Sequence, residues 1–345
     1  MRIPRSRTLL SLAVGVAVAA SSTSALAATK TTKAEKAAKA TKTTTKATTN
    51  TKSSKPTTKA TPASDTTVPA AAKSFPTIKI GSIPDQDPAR ISRQFGLVAD
   101  YLASKTGRKV EFVPISDYPA AVSAFRIGDL DLVWFGGLTG VQAQKQVPQA
   151  KYIAQRDLDA KFKSVFIANK AARVPPIDTV LKLRFLKGLS FTFGSESSTS
   201  GRLMPQYFLD EAGVELQDLK GQPGFSGSHD KTIRLVEAGT FDAGALNKAV
   251  WDSNVARKTV DLDKVQVIFE TPTYFDYHWL ARPDFDDRFG AGAADSVKKA
   301  FLSLSPAVPA EAAILELFSA GSFIETNRAN YNQIEKTAKA LNLLS

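Results

Sequence analysis

Two rhythms of apolar and polar positions take turns along residues 75–345. Short β-prone runs recur at Ile78-Lys79-Ile80-Gly81-Ser82-Ile83, Val110 to Ile115, Leu130 to Phe135 and Tyr152 to Arg156. Between them lie helix-period segments: Ala89 to Lys105 with Gly107 behind it, Tyr118 to Ile127 closed by Gly128, and Thr139 to Gln146. This alternation predicts crossover connections and a mostly parallel sheet with helices on both faces. The pattern restarts after Phe162, Ser164, Phe166 and Ala168. It predicts a strand at Leu189–Phe193, a helix from Gly201, a strand near Phe225, a helix over Asp230–Ala238, a strand at Asp242–Leu246 and a helix near Ala249–Arg257. A last strand, Val265–Glu270, leads through Thr271–Trp279 into Leu280, and Ala291 to Leu344 reads as helical. The fold class expected is α/β, with two lobes, 75–165 plus 275–345 and 166–274, joined by a two-crossing hinge around a cleft.

Within this pattern, Phe191 to Gly213 carries the clearest chemical signal. Leu189, Phe191 and Phe193 enter a turn at Gly194; Ser195, Ser197, Ser198, Thr199, Ser200 and Gly201 follow, and then an apolar helix-period run. The segment reads as strand, polar loop, helix start. The first N–H groups of a helix lack partners and carry the positive end of its dipole. Hydroxyls beside them add neutral donors, so such a loop suits an anion without a compensating Lys or Arg; the plainer reading is a helix cap. Ligands of open α/β sheets sit beyond the carboxyl ends of strands. Loops at Pro84-Asp85-Gln86-Asp87, Ser116-Asp117-Tyr118, Phe135-Gly136-Gly137, Ser228-His229-Asp230 and Asn247 fall at that level, which favours the ligand reading.

The N-terminal residues change the picture of where the chain works. Arg2, Arg5 and Arg7, an apolar run from Leu9 to Ala20 and Ala25-Leu26-Ala27 form a secretory signal, 1–27, too short to anchor in a membrane. Residues 28–74 are Lys, Thr, Ala and Ser with almost no large apolar side chain, and read as a disordered linker. They hold ten lysines against Glu35 and Asp65, a charge of +8; with the +3 of Arg2, Arg5 and Arg7 this leaves +1 of the net +12 for residues 75–345. A solvated tether is the simplest reading, with contact to an anionic envelope surface as the functional one and nucleic acid not expected. With no cysteine there is neither a disulfide nor a lipidation site. The expectation is a periplasmic or otherwise secreted protein acting as a monomer.

Other chemistry is thinly represented. Ser228-His229-Asp230-Lys231 matches S-x-x-K and Lys105-Thr106-Gly107 matches K-T-G, but in the wrong order for a penicillin-binding signature. His229 and His278 are the only histidines; a metal site of both with Asp276 is conceivable but unsupported by any metal-ligand spacing. Phosphate-loop motifs are absent, and no cofactor is expected. The run Tyr274-Phe275-Asp276-Tyr277-His278-Trp279 reads equally as a cleft wall or as aromatic core.

The segments at 116–137, 191–209, 226–233 and 242–252 together resemble the phosphate/phosphite/phosphonate family of ABC-transporter periplasmic binding proteins, over roughly Ile78 to Leu304. The wording Ala-Leu-Asn, Val-Trp-Asp and Phe-Asp-Tyr-x-Trp is closer to a subgroup labelled selenate-binding. The resemblance implies a type II periplasmic binding fold closing on an oxyanion for delivery to an ABC permease, with no catalytic residue. It implies as ligand residues Ser198, Thr199, Ser200 and His229, with Tyr118 facing them across the cleft; Phe135, Asn247 and Asp276 complete the candidate set. Two positions depart from the pattern. Trp134-Phe135-Gly136 stands where phosphonate binders often have a Tyr hydroxyl, and Ala249 stands where aminoalkylphosphonate binders have a carboxylate, which argues against recognition of a ligand amine. The expected ligand is a small tetrahedral oxyanion of phosphonate or phosphite type, with selenate as the alternative. A secreted Ser- or metal-dependent hydrolase is the rival from another class.

Overall fold

The computed structural model describes residues 75–344, so the expected leader at 1–27 and the linker at 28–74 lie outside the described residues. Five strands form a first sheet: β1 (Ile78–Ser82), β2 (Val110–Phe112), β3 (Leu132–Phe135), β4 (Lys151–Tyr152) and, far along the chain, β11 (His278–Ala281), in the order β2-β1-β3-β11-β4. A second sheet has the order β10-β6-β9-β7-β8, from β6 (Ser164–Asn169), β7 (Phe191–Phe193), β8 (Gly224–Phe225), β9 (Ala243–Asn247) and β10 (Val265–Glu270). A two-stranded ribbon pairs β5 (Gln155–Arg156) with β12 (Phe323–Ile324).

The helices packed on these sheets are α1 (Pro88–Thr106), α2 (Tyr118–Ile127), α3 (Gly137–Gln146), α4 (Met204–Glu211), α5 (His229–Glu237), α6 (Lys248–Ala256), α7 (Phe285–Phe289), α8 (Ala293–Leu302), α9 (Pro309–Leu317) and α10 (Asn332–Ala340). Their ends follow from local chemistry. The Asp87 carboxylate caps α1 by accepting from the Ala89 and Arg90 amides at 3.1 Å, Pro88 opens the helix, and Gly107 closes it at φ 65°. Asp117 caps α2 through the Ala120 amide at 2.8 Å. The apolar stripe of α1, Ile91, Phe95, Val98 and Leu102, is buried in the principal core, as the helical period requires.

The sheets are mixed rather than mostly parallel as expected. β11 runs antiparallel to β3 and β4, and β6 antiparallel to β9 and β10. β11 follows β10 of the other sheet through Thr271–Tyr277, so it enters the first sheet from the second rather than through a crossover helix of its own sheet. The expected strand at Tyr152–Arg156 divides in two, because Ile153 donates to Trp279 O (3.0 Å) before Gln155 and Arg156 turn to pair with β12. A short π-helical turn, Thr199–Leu203, precedes α4, and the helical C-terminal region is interrupted by β12.

The chain passes between the sheets twice, at 157–163 and 271–277. The crossings are bridged by a mutual backbone pair, Phe162 N to Tyr274 O at 2.8 Å and Tyr274 N to Phe162 O at 3.0 Å. A buried bidentate ion pair strengthens this junction: Arg156 donates from Nε and Nη2 to both oxygens of Asp159 at 2.7 Å. Its third arm reaches Phe318 O at 2.7 Å, and Asp159 also accepts from the Tyr277 amide at 3.3 Å. The guanidinium lies over the rings of Tyr277, Trp134 and Phe162 at 4.9, 5.3 and 5.7 Å.

Candidate functional site

Several helix N-termini face the space between the two sheets, each following the carboxyl end of a strand: α3 after β3, the π turn after β7, and α6 after β9. The N-termini of α2 and α5 enter from the loops at Ser116-Asp117 and Ser228. Each brings amides without helical partners and the positive end of a peptide dipole. The surroundings thus favour negative charge before any side chain is counted.

The hydroxyl loop lies against the first sheet's lobe. Thr199 Oγ1 accepts the Leu138 amide of α3 at 2.9 Å, and the neighbouring Gly137 amide donates to Asp276 Oδ1 at 2.8 Å. Gly136 permits this approach: a Cβ there would stand 3.3 Å from Thr199 Oγ1 and 3.4 Å from Asp276 Oδ1. Ser198 caps the π turn by accepting from the Gly201 amide at 3.0 Å. The Ser200 carbonyl accepts from Ser164 Oγ at 2.7 Å, while the Ser200 hydroxyl is buried with no partner. Tyr118 Oη and Asp276 Oδ2 are likewise buried and unpartnered.

On the other side stands a network of four residues. Tyr277 Oη donates to Asp85 Oδ2 at 2.7 Å. The Asn247 amide N–H lies 3.4 Å from His229 Nδ1, which leaves the ring proton on Nε2, facing Tyr277 Oη at 3.3 Å. Asn247 Nδ2 donates to the same hydroxyl at 3.3 Å while its Oδ1 caps α6 through the Val250 amide at 3.2 Å. Burial drives the His229 pKa down to about 3, so the imidazole is neutral at physiological pH.

The two carboxyl groups are displaced in the opposite sense. Burial raises Asp85 to about 6 against the Tyr277 hydrogen bond and the charge of Arg156. Burial raises Asp276 further, to about 7, although the Gly137 amide favours its ionised form. Both therefore exchange protons near neutral pH. The phenols of Tyr118 and Tyr277 are held well above their ordinary range, by burial and then by the Asp85 carboxylate. These two acids are the ones that face the cluster. Asp117 is occupied as a cap, and Asp230 is committed to the Asp87 amide (2.7 Å) and Asn254 Nδ2 (2.9 Å).

Of the candidate residues, Tyr118, Thr199, Ser200, His229, Asn247 and Asp276 are buried on the elements that meet here, with Ser198 shaping the loop. The Phe135 ring packs edge-on against Phe125, and its segment adds only the Gly136 approach. Sequence reasoning left Tyr277 and Asp85 outside the candidate set. Tyr277 was hidden in an aromatic run, though the run itself was a signal; Asp85 stood in a polar loop with nothing to rank it above Asp87. Arg156 carried no signal, since its partner lies three residues on and its stacking partners are remote in sequence. The conceivable metal set of His229, His278 and Asp276 is not assembled: His278 packs on Tyr152 and Tyr331 and lies against Gly140. Among the described residues no group of three His, Cys, Asp or Glu is placed to hold a metal.

Residues 80–331 match the model of the family described as ABC transporter, phosphonate, periplasmic substrate-binding protein. The chain is 47% identical over 266 residues to the "Probable ABC transporter phosphite binding protein PhnD1" of Prochlorococcus marinus strain MIT 9301, covering 77% of this chain and 90% of that one. The structure of PhnD1 from the same organism, solved at 1.52 Å in complex with methylphosphonate, superposes with a TM-score of 0.76 at 46% identity, over 77% of this chain and 98% of that one. A binding-protein component of an ABC phosphonate transporter from Pseudomonas aeruginosa shares the fold, with a TM-score of 0.65 at 19% identity over 76% of this chain and 85% of that one. Two α/β lobes around a polar, dipole-ringed centre, joined by two crossings, constitute the type II periplasmic binding fold. The chain belongs to the phosphonate family of periplasmic substrate-binding proteins of ABC transporters.

Proposed function

We propose that this protein captures a small phosphorus oxyanion, of the size of phosphite or methylphosphonate, in the cluster between its two sheets and presents it to an ABC permease. The observation that carries this reading is the set of buried polar atoms without partners, Tyr118 Oη, Ser200 Oγ and Asp276 Oδ2, set among helix N-termini. A buried polar group left unpaired costs about 1–3 kcal/mol, and an oxyanion offers acceptors to the two hydroxyls. Ser198, Thr199, His229, Asn247 and Tyr277 shape and orient this set, and Asp85 stands behind Tyr277. PhnD1, crystallised with methylphosphonate, supports the ligand class.

The chemistry of the acids narrows the choice further. A phosphonate or phosphite monoanion carries an O–H that needs an acceptor, which Asp276 Oδ2 supplies when ionised. When Asp276 is protonated, it donates instead to a dianion. A fully deprotonated oxyanion such as selenate or sulfate carries no such proton and meets an ionised carboxylate as repulsion. Where Asp276 is ionised, above about pH 7, the acids therefore favour phosphorus oxyanions over selenate. Release without reaction is part of the same reading: neither ring nitrogen of His229 has Ser228 as its partner, so no Ser–His pair supports hydrolysis. The reading extends to lobes that close about the two crossings, action as a monomer in the periplasm after loss of residues 1–27, and a tail, 28–74, that acts as a tether.

Trp134 stacks on Tyr277 at 5.6 Å and so reports on the site. Tryptophan fluorescence titrated with methylphosphonate, phosphite, sulfate and selenate tests the proposal. Saturable changes with the two phosphorus anions, at least about tenfold tighter than with the others, are expected for about 1.4 kcal/mol of discrimination. Tighter binding of selenate or sulfate would reverse the assignment.

A further inference from the structure

A second chamber lies outside the cluster just described. A cavity of about 590 Å³ opens between the start of α1, the first crossing, α6 and the end of α9. Its cations are Arg90, Lys161, Lys163, Lys248 and Arg257, against Asp252 and Glu316. Lys248 is paired with Asp252 at 2.7 Å and Lys163 with Glu270 at 3.2 Å. Among the described residues, Arg90, Lys161 and Arg257 form no salt bridge, and Glu316 is the one acid of the lining left to balance them. The surplus of positive charge on this wall is therefore concentrated in three side chains.

Arg90 is the innermost of the three. It is half-buried; its Nη2 reaches Leu317 O at 3.4 Å and Ser253 Oγ at 3.5 Å, and its Nε is buried without a partner. Burial, and then the positive charge of Arg257, press its pKa down. Cations held against one another in this way are relieved by an anion. The cavity shares Ala249, Ser253, Leu317 and Ser319 with a constriction of about 20 Å³ that leads to Asp85, Asn247 and Tyr277. That neck is about large enough for one water molecule. In the arrangement described, an oxyanion in the outer chamber stands next to the inner cluster but does not enter it.

We propose that this vestibule is a second anion subsite, in which Arg90, Arg257 and Lys161 hold a small oxyanion beside the first crossing, next to the inner cluster. The subsite rests on the reading of the protein as an oxyanion receptor. It gives a division of labour. The inner cluster selects with neutral donors and titratable acids, which attract anions weakly at a distance. The outer chamber supplies the unpaired charge that focuses the field in a concave, partly apolar setting and raises encounter.

The test uses the full chain, labelled with ¹⁵N, and methylphosphonate as the probe. Two groups of amide signals are expected to respond. Gly137, Leu138 and Gly201 report the inner cluster, and saturate first. Ala249, Ser253, Arg257 and Ser319 continue to shift in a weaker, salt-sensitive phase after the inner site is full. The variant Arg90→Gln/Lys161→Gln/Arg257→Gln should lose the second phase and associate about tenfold more slowly at low salt, with its dissociation rate unchanged. Responses confined to the inner amides, or a second phase that survives in the variant, would overturn the subsite. A response at the vestibule with none at the inner amides would instead overturn the inner-site reading and leave the subsite standing.

Discussion

Thr199 accepts the Leu138 amide at 2.9 Å, joining the hydroxyl loop of the second sheet to the first turn of α3 in the other lobe. A hydroxyl of the candidate site thus also ties α3 to the loop after β7. Ser200, its neighbour, has a buried hydroxyl with no partner. The two residues should therefore respond differently to the loss of an oxygen. Thr199→Val leaves the Leu138 amide orphaned and should cost about 1–3 kcal/mol of stability in the ligand-free protein as well as affinity. Ser200→Ala should leave the ligand-free melting temperature unchanged or slightly raised, and weaken binding about ten- to a hundredfold, the loss of one hydrogen bond to a charged group. Equal effects of the two changes on melting would contradict this division.

The raised acids make stability depend on pH. Asp276 has a folded pKa of about 7 against an ordinary 3.8, so the folded state binds the proton more tightly. Its favourable contribution is complete below about pH 4, fades as pH rises, and is gone above about pH 7. Asp276→Asn keeps an oxygen for the Gly137 amide and removes the ionisation. The variant should match the parent near pH 4 and gain on the order of 3 kcal/mol at pH 8 without ligand. The buried histidines work in the other direction below pH 6.5, since both have folded pKa values of about 3. They are common to both proteins and cancel in the difference. Denaturant melts of the pair at three pH values check the slope, and a constant difference would reject the assignment of Asp276 as the buried acid.

The Arg156–Asp159 pair offers a test of the crossings. Both side chains are buried, and the carboxylate also receives the backbone amides of Arg156 and, from the second crossing, Tyr277. Arg156→Met leaves that charge uncompensated and should destabilise by about 3–5 kcal/mol. Adding Asp159→Asn should recover part of the loss, because the amide oxygen still accepts the Tyr277 amide. Failure of the second change to recover anything would show that the guanidinium acts through its stacking and the Phe318 carbonyl rather than through the charge.

Much of this arrangement was legible in the sequence. The strand at Phe191–Phe193, the hydroxyl loop behind it and the helices α1 and α2 follow from local patterns, and local patterns are what a single sequence carries. The antiparallel entry of β11 and β6 was not legible, because strand direction is set by what the chain does between elements and not by their composition. Tyr277 and Arg156 were missed for a related reason. Their roles come from partners far away, Asp85 at 192 positions' separation and Phe318 at 162. The contact of His229 with Tyr277 Oη at 3.3 Å, across 48 positions, was likewise out of reach of local patterns.

In the proposed function, a phosphorus oxyanion binds among buried acids whose pKa values burial raises toward neutrality. At pH 8, Asp85 and Asp276 are ionised in the ligand-free protein, given folded pKa values of about 6 and 7. An anion entering that site must be accompanied by a proton, on a carboxyl group or on the ligand. Isothermal calorimetry with methylphosphonate at pH 8, in two buffers of different ionisation enthalpy, measures this directly. One tight site per chain in the inner cluster and uptake of about one proton per ligand bound there are expected. Absence of saturable binding, or tight binding with no proton uptake, would contradict the proposed function.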